Sequence, residues 1–131
     1  MISLKREIEL KVNGISYRVS VEPHETLLDV LRDKLDITSV REACDRIGEC
    51  GTCTVLMDGK PVYSCLVLAV EADGKEITTV EGLAVGEKLH DVQKAFIDHG
   101  ALQCGFCTPA MILTVKALLD ENPKPSEHEI R

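Results

Sequence analysis

The sequence predicts an α+β fold in which a small mixed sheet is followed by helices. In the first part of the chain, apolar and polar residues alternate in several short runs, a period typical of β-strands. Beyond residue 82, apolar residues recur every three or four positions, as in amphipathic helices. The six cysteines divide in the same way, four in the first part and two in the second. We therefore expect two units, residues 1–82 and residues 83–131.

The first unit opens with a predicted β-hairpin. Residues 7–12 and 15–21 alternate, and Asn13-Gly14 between them favours a tight type I′ turn, because both central positions of that turn need positive φ. The remaining elements of this unit are, in order, a helix capped by Thr26 with Asp29 as its acidic partner, a strand from Thr54 to Met57, a returning strand from Val62 to Val70, and a short strand from Glu76 to Val80.

The second unit is predicted to be helical. One apolar stripe stops at Gly100, and a second helix begins at Thr108-Pro109, an N-cap followed by proline, and runs to Asn122. A capping box at Ser126 signals a third helix, yet the sequence ends at Arg131. Because this start signal has no helix body after it, we expect a missing C-terminal portion, so that the unit is half of a bundle.

Charge and hydropathy exclude several classes of protein. The chain has 131 residues, with 15 Lys and Arg against 22 Asp and Glu, and its net charge of −7 argues against a nucleic-acid or anionic-membrane partner. Its longest apolar run, residues 65–70, is too short to span a bilayer, and its N-terminus alternates where a signal peptide would be apolar. We therefore expect a cytoplasmic protein, in which six cysteines indicate metal binding or redox chemistry before disulfides.

The first four cysteines have a spacing that favours a 2Fe-2S cluster. They follow the pattern C-x5-C-x2-C-x11-C and are Cys44, Cys50, Cys53 and Cys65. Three thiolates on one loop and a fourth on a neighbouring strand suit a plant-type cluster at the surface of a sheet. Gly48 and Gly51 would let the loop bend and let N–H groups approach the sulfurs. Structural zinc is the alternative interpretation, although its ligands usually form two short pairs.

The second pair, Cys104 and Cys107, is ambiguous by itself. A C-x-x-C motif fits a dithiol, half of a zinc site, half of an iron–sulfur site, or two small buried residues. The dithiol interpretation lacks the βαβ surroundings that it requires. The spacing of the four histidines does not match that of the cysteines; these are His24, His90, His99 and His128. No catalytic set of residues is present. The sequence thus predicts no bond-breaking chemistry.

Two long motifs, ECGTCTVLMDGKPVYSC and ALQCGFCTPAMILTVKALLDENP, resemble the small iron–sulfur subunit of molybdenum hydroxylases. This family includes xanthine dehydrogenase, aldehyde oxidoreductase and aerobic carbon monoxide dehydrogenase. The resemblance implies a β-grasp 2Fe-2S ferredoxin-like domain followed by a helical-bundle domain. It also implies a non-catalytic subunit that relays single electrons from molybdenum to FAD. The implied partners are a large subunit that binds molybdopterin and a medium subunit that binds FAD.

The resemblance also assigns site residues by position. These are Cys44, Cys50, Cys53 and Cys65 for a first 2Fe-2S cluster, Cys104 and Cys107 for half of a second, and Gln103 for a contact with the pterin.

Three features depart from the family pattern. Ala43 stands where the family has glycine, with five residues instead of four after the first cysteine, and Ala110 replaces another glycine. The chain also ends before the Cys-Arg-Cys motif that completes the second cluster, so we expect one complete site and one half site. A free-standing single-cluster ferredoxin, and a non-redox zinc or dithiol module, remain alternative functions.

Overall fold

The computed structural model describes residues 4–131, so the first three residues of the predicted first unit lie outside it. Within that range, the strands form one mixed sheet in the order β2-β1-β5-β3-β4. Strands β1 and β5 are parallel, and the other neighbouring pairs are antiparallel. The bounds are β1 Arg6–Val12, β2 Ile15–Val21, β3 Thr54–Met57, β4 Lys60–Tyr63 and β5 Glu76–Thr78. The predicted α+β architecture is confirmed.

Helices follow the first hairpin and the last strand. Their bounds are α1 Leu27–Asp29, continued as a π-helix over Val30–Lys34, α2 Asp91–Asp98, α3 Thr108–Glu121 and α4 Glu127–Ile130. Short 3-10 helices cover Ala69–Ala72 and Val80–Gly82. In the described part of the chain, no helix combines the length and the apolar character needed to cross a bilayer.

The predicted hairpin turn is confirmed by its dihedral angles. Asn13 and Gly14 have φ of 51° and 82°, as a type I′ turn requires. The Asn13 amide also reaches Thr79, accepting from its N–H at 2.9 Å and donating to its hydroxyl at 2.8 Å. The turn residue therefore also fastens the hairpin to the chain that leaves β5.

Strand β4 ends earlier than the alternation predicts, so Cys65 lies in a turn and not on a strand. Both the N–H and the hydroxyl of Ser64 donate to the Cys53 carbonyl, at 3.3 and 2.7 Å. The Ser64 carbonyl in turn accepts from the N–H of Leu28, at 3.1 Å. The bonds to Cys53 continue the β3–β4 pairing by one residue, and the bond from Leu28 ties the turn to α1. Helix α3 also differs by one position, since Cys107 occupies the N-cap where Thr108 was predicted.

Strand β3 separates two hydrophobic cores. Val55 belongs to the core between the sheet and α1, where Leu27, Leu28 and Leu31 are fully buried. The next residue, Leu56, points the other way and belongs to a second core formed with α2, α3 and the segment before them. Its buried members are Leu56, Leu83, Val92, Ile112 and Leu113. Cys53 precedes β3 and Cys107 precedes α3, so this packing brings the two cysteine loops to neighbouring positions.

Candidate metal centre

The fold brings the first four cysteines into one group. Three lie on the loop between the π-helix and β3, and the fourth lies in the turn after β4. The Cys44 and Cys50 thiols influence each other's ionisation, and the Cys53 and Cys44 thiols influence the ionisation of Cys65. All four are free thiols. The group therefore consists of an outer pair, Cys44 with Cys50, and an inner pair, Cys53 with Cys65. The effect of Cys44 on Cys65 shows that the two pairs are close to each other.

Backbone N–H groups stabilise the thiolates of the outer pair. Those of Cys50 and Glu49 lower the pKa of Cys44 to about 6, against the opposing effect of burial. The hydroxyl and the N–H of Thr52 lower the pKa of Cys50, and that hydroxyl lies 3.1 Å from the Cys50 sulfur. Such donors also offset the negative charge of a thiolate-bound cluster. Thr52 belongs to no ligand motif, so its role beside Cys50 was not predicted from the sequence.

In the inner pair, Cys65 has the opposite tendency. Burial, and then the neighbouring Cys53 thiol, raise the pKa of Cys65 to about 12, and the N–H of Gly48 opposes the rise. Cys53 and Cys65 are both buried, whereas Cys50 is exposed. Because only thiolates bind iron, filling this site must remove protons from its inner edge.

The loop accommodates the fifth residue after Cys44 by bulging. Asp45 and Arg46 both have left-handed φ, 57° and 64°. The Arg46 guanidinium then pairs with Asp29 at 2.8 Å and with Glu42 at 2.7 Å. Asp29 already closes the capping box of α1 through Thr26. Arg46 thus ties this part of the loop to the beginning of α1, a contact between segments 17 positions apart that carries no signal in the sequence.

Replacing Asp29 with asparagine is expected to destabilise the chain by about 1–2 kcal/mol at neutral pH, since it weakens both the cap and the ion pair. Burial opposes ionisation of Asp29, but hydrogen bonds from Thr26 and Arg46 outweigh it and hold its pKa below the usual value. A lowered folded-state pKa gives stability that is present above the unfolded pKa and lost as pH falls through the folded pKa. Urea unfolding of the apo chain at pH 7 and pH 3 should therefore show a difference that shrinks in acid.

The matched control for this experiment is Asp33→Asn, an exposed carboxylate on the adjoining π-helix. It should change the free energy of unfolding by less than about 0.5 kcal/mol. Equal effects of the two substitutions would contradict a specific role of Asp29.

The second cysteine pair lies on the loop between α2 and α3. Cys104 and Cys107 are exposed, and the Cys107 thiol lies 3.7 Å from the Met111 sulfur. Gln103 is exposed beside them and lines a cavity of about 430 Å³ together with both cysteines. A separate groove of about 550 Å³ is lined by Cys50 from one loop and Cys107 from the other. The two sets are neighbours across this groove but do not form one site.

The first set fits a dinuclear iron–sulfur core. Within residues 4–131, no three His, Cys, Asp or Glu side chains gather as ligands of one metal ion. A 2Fe-2S core does not require such a group, because four thiolates are shared between two irons. The pairs Cys44 with Cys50 and Cys53 with Cys65 provide this division, and soft thiolates are the ligands that such cores use. The second pair, Cys104 and Cys107, adds two further thiols on the loop before α3.

Comparison with known proteins finds matches over residues 10–131 of the chain. Residues 10–84 match the family described as the 2Fe-2S iron–sulfur cluster binding domain, and residues 79–131 match the family described as the 2Fe-2S binding domain. The nicotinate dehydrogenase small FeS subunit of Eubacterium barkeri is 49% identical over 126 residues, covering 96% of this chain and 80% of its own. The aldehyde oxidoreductase of Megalodesulfovibrio gigas is 45% identical over 93% of this chain, which spans 14% of that protein.

A solved structure gives the same result at the level of the fold. Quinoline 2-oxidoreductase from Pseudomonas putida 86 superposes with a TM-score of 0.93 at 47% identity. The match covers 98% of this chain and 79% of the matched chain. The chain therefore belongs to the 2Fe-2S family of small iron–sulfur subunits of molybdenum hydroxylases, as its two cysteine motifs predicted.

Proposed function

We propose that this chain is the electron-transfer subunit of a molybdopterin-dependent hydroxylase, relaying single electrons from a molybdenum centre towards FAD. The observation that carries the proposal is the gathering of four cysteine thiols beside a set of backbone N–H donors. A 2Fe-2S cluster held there supplies one-electron chemistry. The relatives support this role, since they are named as small subunits of nicotinate dehydrogenase and of nicotine 6-hydroxylase.

In this proposal each thiol pair holds one iron. Cys44 and Cys50 would bind the outer iron, and Cys53 and Cys65 the inner iron. The N–H groups of the loop would offset the negative charge, and the buried inner edge would limit access of water. We assign this work to a ferredoxin-like domain over residues 1–82, followed by a helical domain over residues 83–131. The separate core of the helices supports that division, and Leu56 and Val80 of the first domain pack into it.

The exposed second pair is proposed to face a partner. Cys104 and Cys107 would provide two of the four thiolates of a second 2Fe-2S cluster. Gln103, exposed next to them, would contact the pterin of a large molybdopterin-binding subunit. A medium subunit that binds FAD would receive the electrons. The exposure of all three side chains supports this orientation.

Anaerobic reconstitution of the full chain with iron and sulfide tests the proposal. We expect two irons and two sulfides per chain, visible absorption, and a reduced 2Fe-2S signal in electron paramagnetic resonance. A colourless product that binds zinc, or only reversible thiol oxidation, would contradict it and support a structural zinc or dithiol module.

A free-standing single-cluster ferredoxin is the second candidate, because the exposed pair provides only two ligands. Purification of the tagged chain from its native cells separates the two candidates. Larger subunits that contain molybdopterin and FAD support the hydroxylase subunit. A monomeric red protein with two irons, and with Cys104 and Cys107 still open to alkylation, supports the ferredoxin.

A further inference from the structure

One side chain, that of Arg41, joins the two cysteine loops. Its Nη1 donates to the carbonyl of Gly105 at 3.1 Å and to that of Phe106 at 3.0 Å. Its guanidinium carbon also lies 5.2 Å from the centre of the Phe106 ring, a cation–π distance. Gly105 and Phe106 are the two residues between Cys104 and Cys107, so Arg41 holds the inside of the second motif.

The backbone of Arg41 is fastened to the first site. Its N–H donates to the Thr52 carbonyl at 3.3 Å, and its carbonyl accepts from the Thr52 hydroxyl at 3.2 Å. The same hydroxyl lies 3.1 Å from the Cys50 sulfur. Thr52 and Arg41 therefore connect the Cys50 thiol to the peptide groups between Cys104 and Cys107.

The second loop needs such a tie because little else packs around its tip. Gly105 has φ of 80°, and a Cβ placed there would meet no atom within 4 Å. Cys104 and Cys107 are exposed. Two carbonyl bonds and one ring contact from Arg41 thus restrain a glycine turn that is otherwise open to solvent.

We propose that Arg41 is a positioning residue for the second thiol pair, an inference that rests on the proposed function. It fixes the loop that carries Cys104 and Cys107 against the first site, and it places a positive charge beside a cluster held there. A nearby cation favours the more negative, reduced state of such a cluster and so raises its reduction potential. Lysine at this position would keep the charge but lacks the planar fork and the stacking surface of arginine.

Hydrogen exchange of the apo chain tests the positioning. In Arg41→Gln, amides of residues 103–111 are expected to exchange roughly tenfold faster, the change expected for about one lost net hydrogen bond. Arg41→Lys should show most of the same increase. The control is Arg18→Gln, an exposed residue that pairs with Glu9 on the first hairpin. Exchange of residues 103–111 that is no faster in Arg41→Gln than in this control would overturn the proposal.

Redox titration of the complex purified with its partners tests the charge. In Arg41→Gln, the reduction potential of the second cluster should fall while that of the first changes less, and Arg41→Lys should restore it. Unchanged potentials in Arg41→Gln would overturn the electrostatic half of the proposal. The exchange experiment needs no cluster, so it tests Arg41 even if the proposed function fails. Absence of a second-cluster signal in the unmodified complex would count against the proposed function alone.

Discussion

Replacing Cys53 with serine is expected to remove nearly all the iron from the first site, whereas the same change at Cys107 should leave that iron in place. Cys53 is 2% exposed and paired with Cys65 at the inner edge of the site. Serine offers a harder oxygen ligand, which suits iron–sulfur cores poorly. The backbone should stay in position, because the Cys53 carbonyl is held by the N–H and hydroxyl of Ser64.

The measurement is iron and sulfide content, with visible absorption, after anaerobic reconstitution of both variants. Cys107→Ser is the matched control, since that thiol lies on the second loop and is exposed. Circular dichroism of the apo chains checks that both variants fold. Full iron content in folded Cys53→Ser would remove Cys53 from the ligand set, and loss of iron in Cys107→Ser would mean that the two loops share one site.

Replacing Gly48 with alanine is expected to weaken iron retention and also to destabilise the fold. Gly48 has φ of 76°, a conformation that costs other residues roughly 1–2 kcal/mol. The added Cβ would also come within 2.6 Å of a Leu66 methyl carbon, which must move aside. Any shift of the loop displaces the Gly48 N–H that opposes the raised pKa of Cys65. We expect iron transfer to a chelator to be about tenfold faster, the factor that corresponds to 1.4 kcal/mol.

Gly74→Ala is the control that isolates the cluster effect. Gly74 has nearly the same φ, 75°, but no atom lies within 4 Å of its added Cβ, and it lies in the turn before β5, outside both cysteine loops. It should lower the apo-chain stability by the backbone cost alone while leaving the rate of iron release unchanged. A double variant, Gly48→Ala with Leu66→Ala, separates the steric contact from the backbone cost. It removes the Leu66 methyl carbon that the added Cβ of residue 48 would contact. Equal iron release from the two single alanine variants would contradict the role given to Gly48.

Local signals in the sequence predicted the features that depend on local physics. The Asn13-Gly14 turn and the capping boxes at Thr26 and Ser126 are each complete within a few residues, so their patterns were sufficient. The grouping of the first four cysteines was likewise predicted from their spacing together with the strand pattern on either side of them.

Contacts between distant segments could not be predicted in the same way. Next to Cys65, Ser64 donates to Cys53, 11 positions earlier, and accepts from Leu28, 36 positions earlier. The ties made by Arg41 to residues 105 and 106 join segments that are 64 and 65 positions apart. Such residues have no motif of their own, because an arginine on a loop is ordinary until the fold places carbonyl groups around it.

The two-sided burial of β3 has a mechanical consequence. Val55 and Leu56 are consecutive residues whose side chains anchor different halves of the molecule. Sliding this strand by a single position would exchange the sides to which they point and would spoil both halves at once. The distance between the two cysteine loops is therefore set by the packing on both faces of β3 and not by the length of the chain that connects them. A substitution that loosens the packing of one core should therefore also destabilise the other core.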